Sequence, residues 1–233
     1  MSQIHHECEL ERHIVEQLTA AGWLLGKSTG YDQARALFRE DVIGWLQTSQ
    51  PQAWTKLSSL NGAGTETAVL DRLVKVLESK DGGTVSVLRD GFAMAGGGNL
   101  AMSQALPEDA RNQTVLARYA ANRLRVVPQL RYSLEKTDEI DLAFFINGIP
   151  VATVELKTDF TQSVEAAMDQ YRQDRPPKNE KTGRVEPLLA FKRGAVVHFA
   201  MSDSDIRMST KLAGDSTFFL PFNRGNDGAA GNP

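Results

Sequence analysis

The stretch that decides the fold reads IDLAFFINGIPVATVELK and covers residues 140–157. Two apolar segments flank an Asn-Gly pair, which is a strong short-range signal for a β-hairpin. Nearly all of its side chains are of the kind that folded proteins bury. The exceptions are Asp141 near its start and Glu155 and Lys157 at its end. The position of these three charges in an apolar hairpin therefore needs a physical explanation.

Alternation along each strand separates the charged residues from an apolar face. The wholly apolar set comprises Ile140, Leu142, Phe144, Ile146, Ala152, Val154 and Leu156. A two-residue turn at Asn147-Gly148 would pair Asp141 with Val154 and would place the two acids on opposite faces. We therefore predict a three-residue connection with a bulge at a left-handed Gly148, because that register pairs Asp141 with Glu155.

Two carboxylates on opposed strand residues repel each other unless a cation lies between them, since such β-carbons are about 4.5–5.5 Å apart. Hard oxygen ligands beside a lysine fit Mg²⁺, which proteins bind through few carboxylates and several waters. Such an ion can polarise a phosphodiester and activate a water, and a lysine can orient that water or offset the developing charge. The residues alone leave a second interpretation open, because Glu-x-Lys is also common on exposed strand edges.

Composition limits the class of protein. The chain has 233 residues, of which 41% are hydrophobic and 24% charged, as in soluble globular proteins. No apolar segment reaches the roughly 18 residues of a membrane span, the N-terminus does not resemble a signal peptide, and Cys8 is the single cysteine. We expect a cytoplasmic protein without a membrane partner. The net charge of −3 argues against a dedicated DNA-binding module, but not against an enzyme that receives DNA from other subunits.

The remaining elements follow from periodicity and turn residues. Helical spacing marks residues 7–21, 34–46, 67–77 and 162–175. Strand character marks RLRVVPQLRYS at 123–133 and, after the last helix, GAVVHFAM and IRMSTKL. The chain closes with FNRGNDGAAGNP, which has the composition of a linker. This order predicts an α/β fold.

Asp-x(13)-Glu-x-Lys on a hairpin followed by a helix resembles the PD-(D/E)xK nuclease superfamily. More closely, RLRVVPQLRYS, DLAFFINGIPVATVELKT, QSVEAAMDQYRQDR and FFLPFNRG are similar to the N-terminal nuclease region of type I restriction enzyme R subunits. The likeness spans most of residues 110–225. It implies a restriction-endonuclease-like mixed sheet flanked by helices over residues 1–218, with 30–105 as an unmatched elaboration and 219–233 as a linker toward a motor domain.

The resemblance also implies an activity. An R subunit hydrolyses ATP, translocates double-stranded DNA and cuts it with Mg²⁺, in a complex with methylation and specificity subunits. This chain has no Gly-x(4)-Gly-Lys-Ser/Thr loop, since GWLLGKS at 22–28 has three residues between its glycines. We therefore expect ATP binding only in a longer protein. Two alternatives are a stand-alone nuclease of the methylation-dependent type and a non-catalytic module that contacts DNA or sister subunits.

On this resemblance Asp141 and Glu155 ligate magnesium with help from the Leu156 carbonyl, and Lys157 is catalytic. The first helix of these nucleases often supplies a further acid, which here corresponds to Glu11. Its alternative is an exposed helical glutamate.

Related nucleases can carry Gln-x-x-x-Tyr on the helix after Glu-x-Lys. Here Ala167 stands four residues before Tyr171, and Gln170 is adjacent to the tyrosine instead. Gln170, Tyr171 and Arg172 are predicted to contact DNA or to support the site, the alternative being ordinary helix-surface residues. A basic stretch overlaps this helix and is either a solvated loop or a phosphate contact; it comprises Arg172, Arg175, Lys178, Lys181 and Arg184.

Overall fold

The computed structural model describes residues 3–109, 111–158 and 163–222, with side chains from residue 7 onward. The first half is mainly helical. Its elements are α1 (Gln3–Ala20), β1 (Leu24–Leu25), β2 (Tyr31–Asp32), β3 (Leu37–Phe38), α2 (Arg39–Ser49), α3 (Pro51–Asn61), α4 (Thr65–Leu77), α5 (Thr84–Asp90), β4 (Phe92–Met94) and β5 (Gly98–Leu100). The second half contains α6 (Gln113–Ala120), β6 (Leu124–Arg131), β7 (Glu139–Ile146), β8 (Ile149–Leu156), α7 (Val164–Gln173), β9 (Val197–Met201), β10 (Ile206–Ser209) and β11 (Leu220–Pro221).

Within these residues a seven-stranded mixed sheet has the order β1-β6-β7-β8-β9-β10-β11. The β1–β6 and β8–β9 pairs are parallel, and the other neighbours are antiparallel. The parallel β8–β9 pair requires a crossover, and that crossover contains α7. The predicted mixed α/β sheet flanked by helices is confirmed.

The hairpin turn differs from the prediction. Ile146 pairs directly with Ile149, so the turn contains only Asn147 and Gly148, and both are left-handed, with φ of 48° and 81°. The predicted three-residue connection is therefore wrong. A β-carbon on Gly148 would lie 2.4 Å from the Phe38 carbonyl oxygen, so the turn requires glycine for close packing as well as for its φ.

A bulge nevertheless occurs, farther along β8. Phe145 pairs with Pro150 but Phe144 pairs with Ala152, which leaves Val151 as the extra residue. Proline has no N–H to donate to the ladder, and it is tolerated in sheets at bulges. Beyond this bulge the register is shifted by one residue.

Both faces of the hairpin are buried. On one face Leu142, Val154 and Leu156 pack with apolar residues of α1. On the other face Ala143 and Phe145 belong to a cluster that includes Tyr171 of α7. Ile140, which was predicted on the first face, belongs to this second cluster instead. The left-handed backbone at Gln129 interrupts the alternation of the neighbouring strand at this level.

Residues 30–105 form a helical subdomain with its own core, which contains Trp45, Leu57 and Leu73 and reaches the sheet at Ile149. Helix α2 begins at Arg39 rather than at residue 34, because the preceding residues form the β2–β3 hairpin with a left-handed Ala36. Helices α3, α5 and α6 were not predicted.

The subdomain is joined to the sheet by polar contacts. Fully buried Asp41 of α2 accepts hydrogen bonds from Arg123 (2.6 Å) and from Arg125 (2.5 Å) of β6. Buried Asn147 in the hairpin turn donates to the Met102 carbonyl (2.9 Å) and accepts from the Arg123 N–H (2.7 Å). The segment therefore braces the turn of the central hairpin.

The end of the described chain also adds to the sheet. Residues 220 and 221, at the start of the predicted linker, form β11 and pair with β10. The rest of that linker, 223–233, lies outside the described residues. No helix in the described ranges combines the length and apolar character needed to cross a membrane.

Candidate functional site

The two acids of the hairpin meet at the start of β7 and the end of β8. The β7–β8 pairing ends at Leu142–Val154, and Asp141 and Glu155 are the next residues along the two strands. Repulsion from Asp141 is one cause of the raised pKa of Glu155, so the two acids are close. Asp141 Oδ2 accepts a hydrogen bond from the Leu156 N–H at 2.7 Å. The Val151 bulge, and not the turn, produces this register.

Glu155 is fully buried, and only one of its two carboxylate oxygens is hydrogen-bonded to a described residue. Its Oε1 accepts a hydrogen bond from Arg175 Nε at 2.7 Å, whereas its Oε2 has no hydrogen-bond partner among the described residues. Burial, and then repulsion by Asp141, raise the pKa of Glu155 to about 8, while Arg175 opposes the shift. Within the described residues, this free oxygen is therefore a buried acceptor without a hydrogen-bond donor.

Arg175 is itself held in place. Besides Glu155, it donates to the Glu139 carbonyl oxygen at 2.7 Å, and its guanidinium lies over the Tyr132 ring. Its side chain is only 9% exposed, so the predicted solvated or phosphate-binding position is wrong for this residue. No sequence pattern distinguished it from the other basic residues nearby.

Lys157 directly follows the end of β8, two residues after Glu155. Its backbone N–H donates to the Met201 carbonyl, and its Nζ lies 3.8 Å from Glu7 Oε2 of α1. The charge of the ammonium slightly opposes the rise in the pKa of Glu155. Glu7 was not among the predicted site residues.

Helix α1 brings Glu11 beside Asp141. The amide Nε2 of Gln129 donates to Glu11 Oε2 and lies 3.4 Å from Asp141 Oδ1. Burial raises the pKa of Glu11, and repulsion from Asp141 and Glu139 adds to the rise, while the Gln129 hydrogen bond lowers it. Gln129 was also missed, because nothing in its own sequence neighbourhood indicates a link to residue 11.

The carboxylates do not form one tight metal cage. Within residues 3–109, 111–158 and 163–222, no group of three or more His, Cys, Asp or Glu side chains could hold a metal ion. Glu11 is therefore joined to the Asp141–Glu155 pair through Gln129 and not as a third member of one cluster.

The comparison with protein families is decisive here. The family model described as "Type I restriction enzyme R protein N terminus" (HSDR_N) matches residues 7–217. The chain belongs to this family. Among curated proteins, the search found no match. The matched range of this R-protein N-terminal domain includes residues 30–105, which the sequence resemblance left unmatched.

In this R-protein domain, α7 contacts β8, the strand that carries Glu155, through a buried hydrogen bond. Tyr171 is fully buried, and its hydroxyl is 2.8 Å from Thr153 Oγ1, which in turn is 2.7 Å from His198 Nδ1. Burial lowers the pKa of His198 to about 4, so the ring is neutral near pH 7. The Tyr171 side chain is therefore buried and not exposed for contact with DNA, and its role in supporting the site stays a prediction.

The two neighbours of Tyr171 are partly exposed. Arg172 donates to Asp169 at 2.8 Å and lies over the Phe219 ring, and its buried Nε has no partner among the described residues. Gln170 is half-buried. None of the contacts described for these side chains reaches Asp141 or Glu155.

An open cleft of about 500 Å³ lies beside the acids. Its lining is mainly polar and comprises Ser28, Thr29, Tyr31, Gln33, Gln129, Arg131 and Glu139. Gln129 lines this cleft and also contacts Glu11 and Asp141, so the cleft borders the group of acids.

Proposed function

We propose that this domain hydrolyses the phosphodiester bonds of double-stranded DNA with Mg²⁺, as the nuclease part of a type I restriction R subunit. The observation that carries the proposal is the free oxygen of Glu155, which is buried, has no hydrogen-bond partner within the described part of the chain and belongs to a carboxylate close enough to Asp141 to be repelled by it. ATP-driven translocation belongs to the motor region of a longer subunit, and methylation and specificity subunits are the expected partners.

The residues present fit a magnesium ion. Repulsion from Asp141 adds to the rise in the pKa of Glu155, and a cation between the two carboxylates would relieve it; Mg²⁺ commonly binds one or two carboxylates and keeps several waters. The N–H and C=O groups of one strand residue point toward the same neighbouring strand. Since the Leu156 N–H points at Asp141, the Leu156 carbonyl is a suitable third oxygen. When bound, the ion would supply Lewis-acid polarisation of the phosphate and a more acidic water.

The protein's own groups have separate tasks in this scheme. Asp141 and Glu155 supply negative charge, and Arg175 fixes the orientation of Glu155 through Oε1. Lys157 can orient the attacking water or offset charge on the phosphorane, because the ion pair given for its ammonium within the described residues is a weak 3.8 Å contact with Glu7. The polar cleft offers hydroxyl, amide and guanidinium donors of the kind that contact phosphates.

The alternatives predict different behaviour. The family match over residues 7–217 favours an R-subunit domain over a stand-alone nuclease. A non-catalytic module would gain nothing from a buried Glu155 beside a second carboxylate, since a desolvated acid repelled by a like charge weakens the folded state.

The test uses the full-length subunit assembled with its partners. Asp141→Ala and Glu155→Gln should weaken Mg²⁺ binding and lower cleavage of circular DNA, by more than the about 10–100-fold that loss of an outer partner costs. Glu155→Gln keeps an acceptor for Arg175, so it separates loss of the ligand from misfolding. Lys157→Ala should abolish cleavage but leave metal bound, because an ammonium cannot ligate a cation.

ATP turnover serves as the internal control, and it should match wild type in all three variants. Glu165→Ala removes an exposed acid from α7 and should leave cleavage unchanged. Wild-type cleavage by Asp141→Ala or Lys157→Ala would rule out this hairpin as the catalytic site and would support the non-catalytic alternative.

A further inference from the structure

Gln129 has an unusual backbone. Its φ is 46°, in the left-handed region that side chains other than glycine, asparagine and aspartate rarely adopt. It lies between the Pro128–Leu142 and Leu130–Ile140 pairs of β6 and β7, next to Asp141. Such strain persists only where the surrounding structure requires it, and an observed outlier is a reason to look for function.

The side chain of Gln129 links acids from two different elements. Its Nε2 donates to Glu11 Oε2 of α1 and lies 3.4 Å from Asp141 Oδ1 of β7. A primary amide has two N–H donors, so one glutamine can serve both carboxylates. With the Leu156 N–H on Oδ2, both oxygens of Asp141 then have a donor.

The neutral character of this link matters. A lysine or arginine at this position would also satisfy both acids, but its charge would compete with a cation. An amide orients the carboxylates and leaves their negative charge available, and each oxygen retains a lone pair for a further partner. On the other side of the pair, Arg175 fixes Glu155 with a full charge.

We propose that Gln129 is a positioning residue that holds Glu11 and Asp141 in the orientation a divalent cation requires, and that its strained backbone is retained for this purpose. The inference rests on the proposed function, because it assumes a metal at Asp141. In this role Glu11 anchors the Gln129 amide and acts on the metal site only through it.

Gln129→Gly is the most informative variant. Glycine adopts positive φ without strain, so the fold should survive the change while the amide is lost. We expect the Gln129→Gly chain to bind Mn²⁺ about 10- to 100-fold more weakly than the wild-type chain, as measured by Mn²⁺ EPR. In the assembled complex, the Mg²⁺ concentration for half-maximal cleavage should rise by a similar factor, and the rate at saturating Mg²⁺ should stay near wild type.

Lys192→Gly is the matched control. Lys192 is also left-handed, with φ of 68°, and its carbonyl accepts a hydrogen bond from Thr84 of α5, away from the acids. Lys192→Gly replaces a left-handed residue by glycine without removing a group near the acids, so Mn²⁺ binding should be unchanged. Gln129→Met is the second variant, since it keeps the length and the strained backbone but removes the donor; it should lose Mn²⁺ affinity as Gln129→Gly does.

The outcomes separate this inference from the proposed function. Wild-type Mn²⁺ affinity in Gln129→Gly and Gln129→Met would overturn the positioning role. If Asp141→Ala then still lost Mn²⁺ binding, the proposed metal site would stand. If Asp141→Ala also bound Mn²⁺ as wild type does, both the metal site and the role of Gln129 would be wrong.

Discussion

Glu155 stands between a like charge and an opposite one, with no exposure to solvent. Asp141 is close enough to repel it, and Arg175 holds one of its oxygens. Burial is the largest cause of its raised pKa, because burial disfavours the charged carboxylate. Whether Glu155 is ionised therefore depends on whether a cation occupies the site. A bound cation would favour the ionised form, and an empty site favours the protonated one.

This residue predicts a pH dependence with a definite sign. Its pKa is about 8 in the folded chain against an ordinary 4.5, so the folded state binds more protons between these values. The contribution of Glu155 to the free energy of unfolding of the metal-free chain should therefore decrease as the pH rises from about 4.5 to about 8. Metal binding must displace the proton, so Mn²⁺ affinity should fall about tenfold per pH unit from pH 8 to pH 6.

A Mn²⁺ titration at pH 6, 7 and 8 measures this effect. In Glu155→Gln the remaining affinity should be weak and should vary much less over the same range. A flat profile in the wild-type chain would show that Glu155 does not exchange a proton for the metal.

At the scale of elements, α7, β8 and β9 share one buried hydrogen-bond chain through Tyr171, Thr153 and His198. Thr153 lies two residues before Glu155 on β8, so the chain anchors the strand that carries the buried acid. Arg175 follows directly beyond α7, and the helix must therefore be docked correctly for its guanidinium to reach Glu155.

Tyr171→Phe tests this role. The loss of one buried hydrogen bond should lower the free energy of unfolding by about 0.5–1.5 kcal/mol, measured by urea denaturation. Thr153 retains His198 as a partner, which limits the cost. DNA cleavage should stay near wild type, because the hydroxyl is fully buried.

Tyr119→Phe removes a hydroxyl from a side chain that is 41% exposed and should change stability little. A large loss of DNA binding in Tyr171→Phe, without loss of stability, would contradict the supporting role and favour the predicted DNA contact.

At the scale of the whole molecule, the helical subdomain is joined to the central sheet. Asp41 of α2 is buried against Arg125 of β6 and against Arg123, which directly precedes that strand, and the hairpin turn packs on residues 38–42. The subdomain thus holds one end of the hairpin, and the acids lie at the other end.

Asp41→Ala should therefore destabilise the entire domain. Removing one partner from a buried ion pair leaves uncompensated charge and costs about 3–5 kcal/mol. Glu40→Ala is the matched control, since Glu40 also contacts Arg125 but its side chain is 62% exposed, and its loss should cost no more than about 1 kcal/mol. Denaturant titration should show one cooperative transition in each case. A separate transition for residues 30–105 would show that the subdomain folds independently.

The sequence by itself determined the central hairpin, the mixed α/β class and the identity of the charged trio. These follow from alternation, the Asn-Gly pair and the Glu-x-Lys ending, which are patterns among neighbouring residues. Only the tertiary structure decided the register, because the bulge at Val151 and the packing of the turn on α2 replaced the expected three-residue connection.

The surroundings of the acids were also decided only by the tertiary structure. Arg175 reaches Glu155 across 20 residues, and Gln129 reaches Glu11 across 118. Contacts of this kind depend on how the sheet and helices are assembled, and they leave no periodic signal in the residues around them. The charged residues of the hairpin could therefore be identified from the sequence. The groups that bury, orient and neutralise those charges come together only when α1, β6 and the α7 segment fold against the hairpin.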